Sequence, residues 1–340
     1  IVFGDWSSDV CSSDLGMIAR RDLPAGTNDA GRRLDRVLRK LLPNLQLSAL
    51  HGMIRKGLVQ VNGARARADQ ILLLGDSIGI PDFVFGQAGS FHAAGFCEKS
   101  PASALPILLE TEDLLFLNKP AGLLVHGGGE TLESMAKAYL SGRLPPSLAF
   151  TPGPLHRLDR NTSGVVAFSK SIAGARRFSE ALQSGEISKT YLAVHFGNQM
   201  QAEDWRDNLV RDGRTKKSLL AKDERPENGK AAATSVRPIL QSGRYHAAAI
   251  SLMTGRTHQI RSQAAARGIP LAGDAKYGAP AFSRMPGAPG GYLLHAWSLD
   301  FASQGLSVEA PLPDYFLLSL KTIFSVDEKE VYSLLRQSKS

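Results

Sequence analysis

The 340-residue chain is poor in cysteine and has no long apolar run. Its two cysteines, Cys11 and Cys97, are too few for a disulfide framework and too far from suitable histidines for a zinc site. No segment approaches the ~18 apolar residues of a membrane-spanning helix, and the N-terminus lacks a basic segment followed by an apolar core. We therefore expect a protein of the reducing cytoplasm, without a metal and without membrane contact.

Acidic residues are scarce near the N-terminus. Between Gly31 and Ala68, Asp35 is the one acid, against nine lysines and arginines, and the whole chain has a net charge of +8. Clustered cations bind polyanions because they displace counterions from phosphates. The pattern favours RNA-backbone contacts over the alternative, a solvated helix face. The residues we assign to these contacts are Arg32, Arg33, Arg36, Arg55 and Lys56.

The same basic segment has the pattern of a small helical scaffold. Apolar residues spaced i, i+3, i+4 and i+7 predict a helix over 34–41. Ser48 is placed to cap a second helix, which Gly57 would end. A strand over 58–61 then leads into an Asn-Gly hairpin turn at Asn62. Two short helices and a hairpin would suffice to present the cations to a phosphate backbone.

Composition divides the chain into five segments. Residues 1–16 differ from the rest, with Ser-Ser-Asp repeated, and we interpret them as a non-native extension that precedes a natural start at Met17. We predict a small domain over 17–82, and a linker over 83–105, where Gly, Ala and Ser are frequent and no period is sustained. A catalytic domain over 106–325 and a charged, helical or frayed tail over 326–340 complete the chain.

The region 106–325 alternates strands with a few helices. Most predicted strands follow one another through hairpins, which favours an α+β fold with a mixed, largely antiparallel sheet over a doubly wound parallel one. The polar stretch 205–230 is either an exposed hairpin or a mobile surface loop. The predicted strands are 114–120, 165–168, 189–194, 231–240, 245–252, 292–301 and 306–310. The predicted helices are 132–140, 171–182 (with Ala175, Phe178 and Leu182 inward) and 257–267, and 312–324 is a final amphipathic segment.

One polar stretch, Leu-His-Arg-Leu-Asp-Arg-Asn-Thr-Ser-Gly at 155–164, carries a carboxylate directly before an apolar strand. A loop in that place can bring Asp159 to a ligand while the strand holds it steady. The alternative is a tight turn with a surface ion pair. Two later stretches supply further polar groups: Lys-Thr-Tyr-Leu-Ala-Val at 189–194, and Thr-Gly-Arg-Thr-His-Gln-Ile-Arg at 254–261.

Together these stretches resemble the signature set of the RluA-type pseudouridine synthases. The resemblance extends to Asn-Lys-Pro-Ala-Gly-Leu at 118–123, Gly-Asp-Ala-Lys-Tyr-Gly at 273–278 and Leu-His-Ala at 294–296, in the same order as in the family. The basic N-terminal segment resembles the S4 RNA-binding module, including its Leu-Asp-Arg-Val-Leu start and Val-Asn-Gly turn. The family implies a pseudouridine synthase-like catalytic domain behind a small S4-like α/β domain.

The resemblance implies a cofactor-independent isomerisation of uridine in RNA. Asp159 corresponds to the family's catalytic carboxylate, and Arg261 to the arginine that would form a bidentate pair with it, keeping it ionised and aimed. Tyr191 corresponds to the family's tyrosine, whose ring can stack on uracil and whose hydroxyl can accept the C5 proton. Without the resemblance, a strand tyrosine would be read as core. His258 fits a structural histidine, and we do not assign it to catalysis.

Four further residues have secondary roles by resemblance. Arg157 would hold open the place of an extruded base, and Leu294 would pack beneath the uracil. Arg256 and Lys119 would contact phosphate, although Lys119 could equally cap its strand.

We expect a substrate in large-subunit ribosomal RNA and a monomeric enzyme. A tRNA substrate is the first alternative, and the second is an S4-type RNA-binding or ribosome-assembly factor whose catalytic domain is idle. A glycosidase or nuclease would need a second carboxylate motif or a metal cluster, and the sequence has neither.

Overall fold

The computed structural model describes residues 18–87, 105–221, 229–280 and 291–339. Within these ranges, the helices α1 to α8 are Leu34–Leu41, Leu47–Arg55, Phe83–Gln87, Leu132–Leu140, Ile172–Ser184, Gln259–Ala266, Asp314–Phe324 and Glu328–Gln337. The strands β1 to β15 are Arg20–Pro24, Gln60–Val61, Ala64–Arg65, Ser77–Pro81, Ile107–Glu110, Leu114–Lys119, Gly153–Pro154, Ser163–Ser169, Ile187–Phe196, Glu203–Asp212, Lys217–Leu220, Lys230–Ser242, Tyr245–Leu252, Leu294–Phe301 and Leu306–Glu309. Of the helices so described, none combines the length and apolarity needed to cross a bilayer.

Contacts divide the described chain into two compact units. Unit 1 contains residues 18–87 together with Ala138–Pro152 and Ser171–Ala173. Unit 2 contains the described residues from 105 to 137, Gly153–Lys170 and those from Gly174 onward.

Unit 1 is built on a four-stranded antiparallel sheet in the order β1-β4-β2-β3. Helix α1 contains the predicted apolar stripe and buries it, because Leu34, Val37 and Leu38 recur on one face. The predicted hairpin turn is also confirmed: Asn62 and Gly63 both have positive φ, as a two-residue type I′ turn requires. The prediction that Ser48 caps α2 was wrong, since α2 begins one residue earlier, after Gln46.

A buried carboxylate ties a distant segment to the N-terminal part of unit 1. Asp29 is fully buried and accepts hydrogen bonds from the backbone N–H groups of Gly26 (3.0 Å), Leu148 (2.8 Å) and Ala149 (3.1 Å) and from the Ser147 hydroxyl (2.8 Å). These bonds satisfy a charge that would be costly to bury alone. They explain why Ala138–Pro152 belongs to unit 1. The predicted domain over 17–82 does not include this segment.

The predicted linker at 83–105 is described only at its ends. Helix α3 occupies its first five residues, with Val84 and Phe85 buried in the core of unit 1. Residues 88–104 lie outside the described part of the chain, as do residues 1–17, where we predicted a non-native extension.

Unit 2 contains an eleven-stranded sheet. Its main path runs β11-β10-β12-β13-β9-β14-β8-β6-β5, with β15 paired to β14 and β7 paired to β8. All of these pairs are antiparallel except β14 with β8. The predicted α+β class with a mixed, largely antiparallel sheet is therefore confirmed.

The C-terminal helices cover one face of this sheet. Leu192 and Trp297 from the strands form a cluster with Phe316 of α7 and Leu335 of α8. The stretch 326–340, which we predicted as a tail, thus supplies buried core residues through α8. Because side chains alternate along a strand, Tyr191 points away from this cluster, to the other face.

Two predictions on local structure are refined. The stretch 205–230 forms the hairpin β10 and β11 as far as it is described, with Trp205 buried, so the alternative of a mobile loop does not apply to those residues. In α5, Phe178 is buried as predicted, but Leu182 is 38% exposed and Ala181 is buried instead. A helix face one position away from the predicted one therefore meets the core.

Candidate active site

The loop that carries Asp159 is positioned by a close approach of two strands. Gly164, the second residue of β8, pairs with Ala296 of β14 and has a φ of +115°, and a Cβ there would lie 2.1 Å from the carbonyl oxygen of Ala296. Only glycine permits this contact. The approach brings the Asp159 loop next to β14, whose other neighbour, β9, carries Tyr191 opposite Ala296.

Lys119 supports the loop from beneath instead of facing a ligand. It is fully buried, and its ammonium donates to the carbonyl oxygens of Pro120 (2.9 Å), Leu123 (2.8 Å) and Arg160 (2.8 Å). Burial lowers the pKa of Lys119 to about 7, and the negative charge of Asp159 opposes that shift. The predicted phosphate contact of Lys119 is therefore wrong, because the side chain has no path to solvent. The alternative, a lysine that fixes the end of its strand, fits.

Asp159 lies at the wall of a cavity of about 510 Å³. The cavity is large enough for a small-molecule or single-nucleotide ligand. Tyr191, Arg261, Arg157, Arg256 and Leu294 line the same cavity. All the residues assigned to the catalytic domain by the sequence, apart from Lys119, thus meet at one site.

Arg261 contacts two carboxylates. Its main partner is Asp274, with Nε to Oδ2 at 2.7 Å and Nη2 to Oδ1 at 2.9 Å. Its remaining Nη1 lies 3.3 Å from Oδ2 of Asp159. The prediction of a bidentate Arg261–Asp159 pair was therefore wrong: Asp274 occupies the edge formed by Nε and Nη2, and Asp159 has a single contact, with Nη1.

The arrangement places a fixed cation beside an accessible carboxylate. Arg261 is 6% exposed and Asp274 is 1% exposed, whereas the Asp159 side chain retains 18% exposure. The rings of Tyr277 and Tyr292 lie 5.0 and 4.4 Å from the Arg261 guanidinium carbon and limit its movement. Asp274 therefore holds Arg261 in place, while the Asp159 side chain remains accessible from the cavity.

Tyr191 is buried in the wall of the cavity. Burial, reinforced by the negative charge of Asp159, raises the pKa of its phenol well above the ordinary value. At neutral pH the hydroxyl is therefore protonated, and it can donate or relay a proton but does not rest as a phenolate. Leu294 lies on the neighbouring strand β14, paired with Ala193, two residues further along β9.

His258 lies next to Asp159 but is neutral. Burial lowers its pKa to about 4, against the opposing charge of Asp159. Its Nε2 is 3.8 Å from Oδ2 of Asp159, and its Nδ1 is 2.8 Å from the Tyr277 hydroxyl. The residue has a left-handed φ of 56°, a conformation that costs a non-glycine residue energy and that here starts α6. No ion pair between His258 and Asp159 exists at neutral pH.

Two arginines lie at the mouth of the cavity. Arg157 and Arg256 are both exposed, and the Nε of Arg256 donates to the carbonyl oxygen of Ala231 at 3.0 Å. Arg157 has no hydrogen-bond partner among the residues that the structure describes. These positions suit contacts with an incoming polyanion.

The predicted contact residues of unit 1 are mostly at its surface. Arg33 forms a two-point ion pair with Asp35, with Nη2 to Oδ2 at 2.7 Å, so part of its charge is already balanced. Arg32 is half-buried. The other four predicted residues are exposed: Arg33, Arg36, Arg55 and Lys56.

Sequence reasoning missed the residues that hold Arg261. Asp274 stands in the Gly-Asp-Ala-Lys-Tyr-Gly stretch, which we had noted without giving its acid a role. A buried arginine needs a carboxylate partner, so the aspartate of that stretch could have been predicted as the partner of Arg261. Tyr292, which stacks on Arg261, gave no signal beyond its place near a strand.

Comparisons with known sequences and structures identify proteins similar to this chain. A sequence profile described as RNA pseudouridylate synthase matches residues 113–266. The ribosomal large subunit pseudouridine synthase D of Nitrosomonas europaea is 32% identical, over 91% of this chain and 90% of that protein. The ribosomal large subunit pseudouridine synthase C of Escherichia coli K12 is 32% identical, over 84% of this chain and 91% of that protein.

Solved structures agree at the level of the fold. The human RNA pseudouridylate synthase domain containing 1 protein aligns with a TM-score of 0.54 at 24% identity, covering 70% of this chain and 98% of its own. The human domain containing 4 protein aligns with a TM-score of 0.52 at 23% identity, covering 64% and 92%. From the profile match and the two relatives that align along most of its length, the chain belongs to the RluA-type RNA pseudouridylate synthase family.

Proposed function

We propose that the protein converts specific uridines of large-subunit ribosomal RNA to pseudouridine, with Asp159 as the catalytic carboxylate and without a cofactor. The observation that carries this proposal is the meeting of Asp159, Tyr191 and Arg261 at one cavity, with Arg261 fixed by Asp274. The choice of RNA is supported by the names of the two bacterial relatives, both ribosomal large subunit enzymes.

The reaction needs a carboxylate and a shielded cavity. The N1–C1′ bond of uridine breaks, the uracil turns, C5 bonds to C1′, C5 gives up its proton and N1 takes one up, so that product and substrate have the same atoms. An ionised carboxylate at C1′ can support the positive charge that develops on the ribose, or bond to it. The oxygen of Asp159 that is not directed at Arg261 is free for this contact.

Arg261 keeps that carboxylate in place. A guanidinium held on its other edge by Asp274 cannot follow Asp159 if the carboxylate turns, so the 3.3 Å contact defines one orientation. His258 contributes a neutral ring beside Asp159 and does not compete with Arg261 for charge.

Tyr191 acts late in the reaction. Its ring forms the wall on which an extruded uracil stacks, and its protonated hydroxyl relays the C5 proton to solvent. Leu294 packs against the other part of the base. Arg157, exposed at the mouth, fills the place that the base vacates, and Arg256 contacts the adjacent backbone.

Unit 1 supplies sequence-independent affinity as an S4-like RNA-binding domain. Its exposed cations on α1 and around the end of α2 position the RNA through phosphate contacts, while the cavity selects the uridine. We propose that the protein acts as a monomer in the cytoplasm, where ribosomal RNA is available.

Mapping pseudouridines in cells with and without the protein tests the proposal. Carbodiimide treatment followed by reverse transcription stops the polymerase at each pseudouridine. We expect one or more stops in large-subunit ribosomal RNA to vanish without the protein and to return when it is restored. Stops that vanish only from tRNA would replace the proposed substrate with tRNA, and an unchanged set in all RNA would refute the activity.

A further inference from the structure

Lys189 is a second cation in the cavity wall that the chemistry above does not use. It lies on β9 two residues before Tyr191, so both side chains are on the same face of the sheet. It lines the cavity that contains Asp159. It begins the Lys-Thr-Tyr-Leu-Ala-Val stretch, of which only Tyr191 has been given a role.

Lys189 is a buried cation. It is 8% exposed, and no acceptor or carboxylate among the residues that the structure describes pairs with its ammonium. Lys119 differs from Lys189 in both respects. It is more deeply buried, and its ammonium donates to three carbonyl oxygens, as expected of a structural lysine. A buried cation without a partner is costly, and burial lowers the pKa of Lys189 accordingly.

The groups around Lys189 leave an open side. His156 next to it is neutral: burial, with a smaller effect from the Lys189 charge, lowers its pKa to about 3, and its Nε2 accepts a hydrogen bond from the Ala167 N–H at 3.1 Å. On another side is Gly255, where an added Cβ would lie 3.9 Å from the Lys189 ammonium. Gly255 lines the same cavity, so the Lys189 ammonium lies at the cavity wall.

The charges of the cavity indicate what approaches. Among the described residues, its lining contains the cations Arg157, Lys189, Arg256 and Arg261 and one acid, Asp159, which Arg261 already contacts. An unpaired ammonium in such a wall gains most from an anion, because a charged acceptor strengthens the hydrogen bond and repays the burial of the charge. The anionic group of RNA is the phosphate.

We propose that Lys189 binds a backbone phosphate adjacent to the uridine that enters the cavity. The residue is thus a substrate-binding group that holds the nucleotide in register with Asp159 and Tyr191. This inference rests on the proposed function only in taking RNA as the ligand. It does not depend on which RNA is modified.

Binding of a ten-nucleotide oligouridylate, measured against salt concentration, tests the assignment. Lys189→Met keeps the length of the side chain and removes its charge, and Lys189→Arg keeps the charge. The matched control is Lys321→Met, an exposed lysine on α7, which covers the opposite face of the sheet. We expect Lys189→Met to weaken binding about tenfold at low salt and to reduce the slope of log Kd against log salt by about 0.7, the value for one phosphate contact on a single strand.

The controls separate a phosphate contact from a packing role. Lys321→Met should keep the wild-type slope, and Lys189→Arg should recover most of the slope lost in Lys189→Met. Equal slopes for Lys189→Met and Lys321→Met would overturn the assignment. Pseudouridine formation in ribosomal RNA is scored separately, so failure of the proposed substrate leaves this binding result intact.

A measurement on the unaltered protein covers the case in which Lys189→Met does not fold. Acetylation of Lys189 by an amine-selective reagent is followed by mass spectrometry, with Lys321 as the internal reference. We expect the oligouridylate to slow acetylation of Lys189 several-fold, and uridine nucleoside at the same nucleotide concentration to have little effect. Equal protection by the nucleoside would show that Lys189 contacts base or ribose, and no protection by either would show that it contacts none of these; both results contradict the phosphate assignment.

Discussion

Arg261 and Asp274 form a two-point ion pair in the interior of unit 2, with contacts of 2.7 and 2.9 Å. The pair fixes the plane of the guanidinium and leaves one nitrogen for Asp159. The catalytic carboxylate that we propose is therefore oriented through a second carboxylate, which does not line the cavity itself.

The variant Asp274→Asn tests whether Asp274 holds Arg261 in the orientation that contacts Asp159. It keeps the shape of the side chain but replaces the two-point ion pair by at most one hydrogen bond to the amide oxygen, so that of the two carboxylate partners of Arg261 only Asp159 remains. We expect the free energy of unfolding to fall by about 3 kcal/mol, as when one partner of a buried pair is removed. We also expect kcat to fall about 100-fold at a temperature where the variant is folded, because Asp159 loses its fixed orientation. Urea unfolding and single-turnover assays measure the two effects.

Asp300→Asn is the matched control. Asp300 is partly exposed and pairs with Lys339 at 2.9 Å, so its loss should change stability by less than about 1 kcal/mol and leave kcat unchanged. If Asp274→Asn behaved like Asp300→Asn in both assays, Asp274 would have no role in positioning Arg261.

The site could be predicted from the sequence to the extent that its residues lie in recognisable stretches. Asp159, Tyr191 and Arg261 were found in this way, and the structure places all three at one cavity. The partners of Arg261 and Lys119 could not be predicted, because they depend on which loops meet in space. One acceptor of Lys119, the carbonyl of Arg160, is 41 positions away along the chain.

Removal of the Tyr191 hydroxyl should affect catalysis more than structure. Tyr191→Phe keeps the ring that we propose stacks on uracil, so KM should change little. Loss of the proton relay should lower kcat about 100-fold. Tyr315→Phe is the control, since it also removes the hydroxyl of a tyrosine, a half-buried one whose oxygen lies 3.2 Å from Ser163 Oγ. A kcat for Tyr191→Phe equal to that of Tyr315→Phe would remove the hydroxyl from the mechanism.

Buried histidines make the stability of unit 2 sensitive to mild acid. Burial lowers the pKa of His195 and of His295 to about 4 each, whereas an unfolded chain has histidine pKa values of about 6.5. Between these values the unfolded state binds protons that the folded state does not, so stability falls as pH falls from about 6.5 toward 4.

His295→Gln isolates one of these groups. The folded state uses neutral His295 as an acceptor from the Ser163 hydroxyl (2.8 Å) and as a donor to the Ala310 carbonyl (3.1 Å). Between pH 6.5 and pH 5, the variant should lose about 2 kcal/mol less unfolding free energy than the wild type, whatever its starting stability. Identical pH slopes in urea unfolding would mean that His295 is protonated in the folded protein.

The exposed cations of α1 should control the salt dependence of binding to structured RNA. The double variant Arg36→Ala, Arg39→Ala should reduce the slope of log Kd against log salt by about 1.4 for a ribosomal RNA fragment, about 0.7 for each lost contact. The control Lys329→Ala, Arg336→Ala removes the same charge from α8. A larger slope change in the control than in the α1 variant would place the RNA-binding surface outside unit 1.

The fold followed from sequence where local patterns were strong. Helix α1 and the Asn62–Gly63 turn were predicted because apolar spacing and turn chemistry act over a few residues. The attachment of Ala138–Pro152 to unit 1 was not predicted, because it depends on hydrogen bonds between Asp29 and residues 118 to 120 positions later in the chain. Contacts between residues so far apart in the chain produce no periodic pattern in the sequence.

Asp159→Asn is the most direct test of the proposed mechanism. The substitution keeps the size of the side chain and removes the ionised oxygen that acts at C1′. With a ribosomal RNA fragment that contains the mapped uridine, we expect no detectable pseudouridine under single-turnover conditions and an RNA affinity within about threefold of the wild type, because backbone contacts lie elsewhere. Pseudouridine formation by Asp159→Asn at the wild-type rate would contradict the account.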